Sequence, residues 1–186
     1  WLCLGRRVQP FDFVVRLELD HFVAEFGQKI IASDREGADQ YGFSVGISGD
    51  YAIVGAIYED HDTLGANSYF NSGSAYIYEK NSSGVWLPVQ KITANDRSST
   101  DYFGSSVSIS GNYAIVGAYS ENHSASGGNY ASGAGSAYIF ERTGAGQWSQ
   151  VQKIAASDRS AGDNFGISVS IDGISAIVGA YNDDYD

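Results

Sequence analysis

Two stretches of unlike patterning stand side by side near the middle of the chain. Val107 and Ile109 alternate with Ser106, Ser108 and Ser110, the period-two pattern of a strand with one buried face. Tyr113-Ala114-Ile115-Val116-Gly117-Ala118 shows no polar alternation, as expected of a strand covered on both faces. With their neighbours they predict four strands, at Phe103–Ser110, Asn112–Tyr119, Gly135–Arg142 and Trp148–Ile154. Gly49-Asp50, Gly111-Asn112 and Gly173-Ile174 separate the first strand from the second, and glycine at the first central position suits a two-residue type II′ hairpin.

This pattern repeats. Gln28-Lys29-Ile30 recurs as Gln90-Lys91-Ile92 and Gln152-Lys153-Ile154, each 62 positions on, and without gaps residues 28–89 and 90–151 share 32 identical positions. The units are therefore 28–89, 90–151 and a third, 152–186, that holds only the first part of the pattern. A four-stranded sheet of this kind cannot bury both faces alone and must stack on its like. The expected fold is all-β, a partial β-propeller of four-stranded antiparallel blades with almost no helix and no parallel pairing between units. A ring needs about four blades or more, so further blades or self-association are expected.

Residues 1–27 lie outside the repeat, where the third and fourth strands of a preceding blade belong. Phe11, Phe13, Val15, Leu17 and Leu19 alternate with Asp12, Val14, Arg16, Glu18 and Asp20, which supports a strand there. A diverged blade edge and a reading-frame discontinuity upstream of Gln28 both account for the abrupt onset of similarity.

The 13 Tyr, 9 Phe and 23 Gly beside 2 Pro fit strands joined by tight turns. A net charge of −11, with no basic cluster beyond Arg6 and Arg7, argues against nucleic acid and anionic membrane surfaces as partners. Cys3 is the single cysteine, so neither a disulfide framework nor a cysteine-based metal site is expected. No apolar run reaches the roughly 20 residues that span a bilayer.

Tyr41-Gly42, Phe103-Gly104 and Phe165-Gly166 recur in register with Gly55-Ala56-Ile57, Gly117-Ala118-Tyr119 and Gly179-Ala180-Tyr181. Over residues 28–186 these elements resemble the FG-GAP repeats of integrin α-subunit propellers, and more closely the bacterial-type repeats of large surface and secreted proteins. The resemblance implies a propeller, an extracellular or cell-surface setting, and loops presented to a protein or glycan ligand. Many integrin-type blades also carry a calcium loop between the first two strands. Here Ser48-Gly49-Asp50, Ser110-Gly111-Asn112 and Asp172-Gly173-Ile174 are too short and too poor in carboxylates to supply six to eight oxygens, so neither calcium nor any other cofactor is expected.

Glu59 and His61 recur as Glu121 and His123, and they are the candidate binding residues. They fall in the long connections Ile57–Ser72 and Tyr119–Ala134, the segments that differ most between units. A metal site needs at least three convergent ligands, so the expectation is a solvated, turn-forming loop, with cation or ligand binding as the rival. Asp34-Arg35, Asp96-Arg97 and Asp158-Arg159 recur too, as do Asp39, Asp101 and Asp163. Glycosidase carboxylates form one constellation at one site, not a copy in every blade, so turns with local ion pairs are expected. No catalytic residue is assigned, because no Gly-x-Ser-x-Gly elbow or phosphate loop is present. The leading function is non-catalytic binding or adhesion. The alternatives are a propeller enzyme acting on polysaccharide and a structural spacer.

Overall fold

The computed structural model describes residues 14–20, 23–34 and 36–183. Its elements are twelve strands, β1 (Val14–Asp20), β2 (Val23–Ile30), β3 (Tyr41–Ser48), β4 (Tyr51–Ala56), β5 (Ser74–Lys80), β6 (Trp86–Ile92), β7 (Ser106–Ser110), β8 (Tyr113–Ala118), β9 (Ser136–Gly144), β10 (Gln147–Ile154), β11 (Ser168–Asp172) and β12 (Ser175–Gly179). There is no helix among the described residues. Phe11, Phe13, Cys3, Arg6, Arg7, Arg35 and Tyr185 lie outside them.

Strands β3 to β6 form one four-stranded sheet in chain order and β7 to β10 another, while β1–β2 and β11–β12 form two-stranded sheets. Every strand pair is antiparallel. The Gln-Lys-Ile triplets end the outermost strands β2, β6 and β10, so a sheet runs from Tyr41 to Ile92 across the 89/90 boundary of the sequence units. The period is unchanged and the phase shifts.

The hairpins between the first two strands follow from single glycines. Gly49, Gly111 and Gly173 have φ of 56°, 57° and 56°, while Asp50, Asn112 and Ile174 are not among the positive-φ residues. One left-handed residue at the first central position is the type II′ geometry.

Each blade has two faces, and the second strand shows how they are filled. Ala114, Val116 and Ala118 of β8 join Ile53, Ala75, Ile77 and Ile92 of the preceding blade in one core, together with Val107, Ile109, Phe103 and Trp148. Ile115, on the opposite face, joins Ala137 and Ile171, with Phe165, Val169 and Val178 packed against them. Burying one such aliphatic side chain contributes about 1.5–3 kcal/mol, so the interfaces between blades, not the isolated sheets, hold the stack.

The FG and GAP elements lock those interfaces through the backbone. Gly104 and Gly166 have φ of 88° and 91°, a region glycine enters without strain. The Ser44 hydroxyl donates to the Gly104 carbonyl at 2.7 Å, and Ser106 donates to Gly166 at 2.7 Å. A Cβ at Gly55 or Gly117 would overlap that same neighbouring carbonyl oxygen. Phe103 N–H also donates to the Ser72 carbonyl at 2.9 Å, and Phe165 N–H to Ala134 at 2.8 Å. These contacts form isolated parallel bridges, Gly73 with Phe103 and Gly135 with Phe165. Parallel pairing between units was not expected. It arises because the chain enters each new blade beside the start of the preceding blade's third strand, and it stays a single bridge. Further out, the Gln28 and Gln90 amides each bracket the backbone of a tryptophan in the next blade, Trp86 and Trp148, at 2.7–2.9 Å.

Candidate functional site

After β4 and after β8 the chain turns sharply, and a glutamate three residues beyond the strand folds back under the turn. The Glu59 and Glu121 side chains are about 1–2 % exposed. Glu59 Oε1 accepts from His61 N–H at 2.8 Å, and Oε2 lies 2.9 Å from the Tyr76 hydroxyl and 3.2 Å from Lys91 Nζ. Lys91 reaches Asp34 at 2.8 Å, and the Tyr76 hydroxyl lies 3.0 Å from Asp34. In the next blade Glu121 accepts from His123 N–H at 2.9 Å and from the Ser136 hydroxyl at 2.9 Å, and pairs with Lys153 at 3.0 Å. Lys153 pairs with Asp96 at 2.7 Å.

The expectation of a solvated loop therefore fails for Glu59 and Glu121. The reason is the lysine of the Gln-Lys-Ile triplet, which runs inward from the outermost strand over the Tyr76 or Tyr138 ring, 5.6 Å from its centroid, and supplies the counter-charge that burial demands. A buried carboxylate with both oxygens engaged in this way is a fixed anchor for the loop. His61 and His123 keep half-buried side chains with Nδ1 3.3 Å and 3.2 Å from their glutamates. No hydrogen bond or ion pair among the described residues joins the Glu59–His61 pair to the Glu121–His123 pair. No group of three or more His, Cys, Asp or Glu among them could hold a metal ion.

Among the described residues, Asp96-Arg97 and Asp158-Arg159 show no ion pair within the couplet, against the expectation of local ion pairs; Arg35 lies outside the described residues. Asp34 and Asp96 pair with lysines 57 residues away. Arg97 instead binds carbonyl oxygens of Asn67 and Asp60 and the Ser72 hydroxyl, lying over the Tyr69 ring at 5.2 Å. Arg159 binds the Asn129 carbonyl in the same manner. Each arginine thus clamps the long loop of the preceding blade, a role that only the stacking of blades creates.

Asp39, Asp101 and Asp163 each accept from the backbone N–H three residues earlier, at 2.5–2.6 Å, as the turn reading expects. Asp101 is 1 % exposed. Burial pushes its carboxyl up to about 7 against the pull of the Ser98 N–H, with the Glu121 charge adding to the rise; burial likewise takes Asp39 to about 6. An unfolded aspartate titrates near 3.9, so between about pH 4 and 7 the folded chain holds protons that the unfolded chain has released. This contribution is fully present below about pH 4 and is lost as pH rises towards 7. Asp101→Asn, which mimics the protonated carboxyl, is expected to flatten that dependence. Urea midpoints of wild type and variant between pH 5 and pH 8 check it, and equal slopes for both would refute it.

The loops so anchored carry exposed apolar side chains. Leu64 is 87 % exposed, Phe70 64 % and Tyr130 68 %, with Tyr69 half-exposed. Their backbone is held in place: Asp60 accepts from Asn71 N–H, and Asp62 accepts from Leu64, Ala66 and Asn67 N–H. Those donors hold the Asp62 pKa well below the usual carboxylate range. Beside them Tyr58, Tyr102 and Tyr119 form a ladder from blade to blade, with centroids 5.8 Å and 5.3 Å apart and the second pair stacked at 18°. A cleft of about 510 Å³ opens below Leu64, bordered by Asp34, Tyr76, Tyr78 and Lys91.

Sequence reasoning chose the glutamates and histidines because they repeat, whereas the exposed surface is built from residues that do not. Leu64, Tyr69 and Phe70 stand where the next unit has Ser126, Ala131 and Ser132, and Tyr130 stands where the previous one has Ser68. An apolar residue breaking the repeat inside a polar loop was the available signal.

A family model described as the FG-GAP repeat matches residues 25–78, 86–140 and 148–186. Comparison with curated proteins returns no match.

Proposed function

The chain belongs to the FG-GAP repeat family, and from that premise we propose that it is a non-catalytic binding and adhesion module of a secreted or cell-surface protein. The observation that carries this reading is the set of exposed apolar side chains on anchored loops, Leu64, Phe70 and Tyr130. Exposed apolar groups on conformationally fixed loops supply contact area without the cost of ordering the loop on binding. The ligand is a protein or a glycan. The Tyr58–Tyr102–Tyr119 ladder and the 510 Å³ cleft lie next to the loops, and aromatic faces suit both classes.

The reading asks for neither a cofactor nor a reacting group. The buried carboxylates Glu59 and Glu121 are matched by buried lysines in both blades, as befits a repeated structural part. Among the described residues no helix is long and apolar enough to cross a membrane.

The test is binding of the purified chain to a glycan array and to a panel of purified cell-surface proteins. Leu64→Ser, Phe70→Ser and Tyr130→Ser are expected to leave the melting temperature within a few degrees and to weaken the observed binding about tenfold or more. Binding that survives all three substitutions, or no binding on either panel, would overturn the proposal.

A further inference from the structure

The cleft below Leu64 lies where the first blade departs from the second. In the second blade the Gln150 side chain spans the corresponding space, its Oε1 accepting from the Asn95 N–H at 2.9 Å. One period earlier these two positions are Pro88 and Ser33, and both border the cleft. Proline has no side-chain amide to make that bridge. The space therefore stays open at about 510 Å³, within the roughly 300–1,000 Å³ of small-molecule sites. Further changes alter what it presents: Thr63, Leu64 and Tyr78 stand where the second blade has Ala125, Ser126 and Phe140.

Its lining joins fixed acceptors to apolar surface. The Asp34 side chain is 39 % exposed, with the Tyr76 hydroxyl 3.0 Å from Oδ1 and Lys91 Nζ donating to Oδ2 at 2.8 Å. Burial raises its carboxyl, but the hydrogen bond and charge of Lys91, with the Tyr76 hydroxyl, outweigh that and hold it below the usual carboxylate range. An ionised carboxylate has about four lone-pair sites, so Asp34 can accept two further hydrogen bonds from a ligand. Ser33 and Thr63 add hydroxyls that donate or accept. Ile31, 44 % exposed, Leu64 and Pro88 supply the apolar surface. Charge narrows the choice of ligand. Asp34 and Glu59 share the one Lys91 ammonium, which disfavours an anion, and an ammonium within 3.2 Å of both carboxylates leaves little field for a cation.

We infer that this cleft takes one unit of a neutral glycan. Adjacent hydroxyls of the sugar donate to Asp34, others exchange hydrogen bonds with Ser33 and Thr63, and a C–H face of the ring lies against Leu64, Ile31 and Pro88. The inference rests on the reading of the chain as a binding module and narrows the ligand of this cleft from protein or glycan to glycan. A sugar ring combines adjacent neutral donors with an apolar face, the two things the lining offers together. A peptide side chain matches it less well. Lysine or arginine would meet the Lys91 ammonium, and an apolar side chain would strip water from Asp34 without replacing its hydrogen bonds.

Saturation-transfer NMR of the purified chain with the methyl glycosides of glucose, galactose, mannose and N-acetylglucosamine reads this, with methyl glucuronide as the anionic control. Transfer to at least one neutral glycoside is expected, with a dissociation constant of about 1 mM, and none to the glucuronide. Pro88→Gln restores the bridge of the second blade without altering Asp34 or the exposed loop side chains. It is expected to weaken that binding about tenfold or more and to leave the melting temperature within a few degrees. Asp34→Asn is expected to weaken it by a similar factor, whereas Phe70→Ser and Tyr130→Ser, outside the cleft lining, are expected to leave it unchanged. No transfer to any neutral glycoside, equal transfer to the glucuronide, or binding that survives both Pro88→Gln and Asp34→Asn would overturn the inference. Should Pro88→Gln fail to fold, Asp34→Asn decides alone. Failure here is distinct from failure of the module reading, because glycan or protein binding that is lost with Phe70→Ser and Tyr130→Ser leaves that reading standing.

Discussion

Gly55→Ala is expected to remove on the order of 3 kcal/mol or more of stability, a large share of the roughly 5–15 kcal/mol that an ordinary domain holds. A Cβ at this position meets the Gly104 carbonyl oxygen and carbon and the Ser44 hydroxyl. The obstacle is backbone, which cannot rotate aside, and relief requires the second blade to retreat from the first. Retreat opens the core that joins Ile53 and Ile77 to Val107 and Ile109 and weakens the Ser44–Gly104 hydrogen bond. Gly179→Ala is the matched control, because a Cβ at the same repeat position in the third unit overlaps only the Ser168 hydroxyl, with the Ser168 carbonyl at ordinary contact distance. A movable hydroxyl holds its cost to about 1 kcal/mol. Urea denaturation of both variants decides the matter, and equal losses would mean that the glycine serves local backbone conformation instead of the lock.

Lys153→Met is expected to cost about 3–5 kcal/mol, because it strands the buried Glu121 carboxylate without its ammonium and takes the partner of the more exposed Asp96 as well. The Lys153 and Glu121 side chains are 5 % and 1 % exposed, and Asp96 shares the same nitrogen. Adding Glu121→Gln to Lys153→Met is expected to recover part of the loss, since a neutral amide carries a far smaller desolvation penalty. Chemical denaturation of the wild type, both single variants and the double variant yields the coupling. Additive losses would show that lysine and glutamate act independently. The corresponding pair in the first blade, Lys91 and Glu59 at 3.2 Å, should behave likewise.

The strands, their order and the period of 62 were legible because they rest on local chemistry. Alternation in Ser106–Ser110, its absence in Tyr113–Ala118, and one glycine at the head of each hairpin act within a few residues of themselves. Family resemblance was legible for the same reason, since the Phe-Gly and Gly-Ala elements are short words repeated in register. The candidate site was legible only in part. Glu59 and Glu121 were found through their recurrence, but their burial was not, because the lysine that neutralises each one arrives from a strand 32 residues further along. Nor did the Asp-Arg couplets reveal that Arg97 and Arg159 hold the loop of the blade before them.

Ile53, Ile115 and Ile177 occupy one position of one repeat in almost identical surroundings of sequence. Two of them are wholly buried and the third stands in solvent. Sequence sets which face of the strand an isoleucine takes, because side-chain direction alternates with every peptide. Whether that face is covered depends on the neighbouring blade, whose residues come from a different part of the chain. The Gly55 and Gly117 positions carry the same lesson at the backbone. The glycine is visible in the sequence, but its necessity is decided by a carbonyl that crosses it only once two blades have stacked.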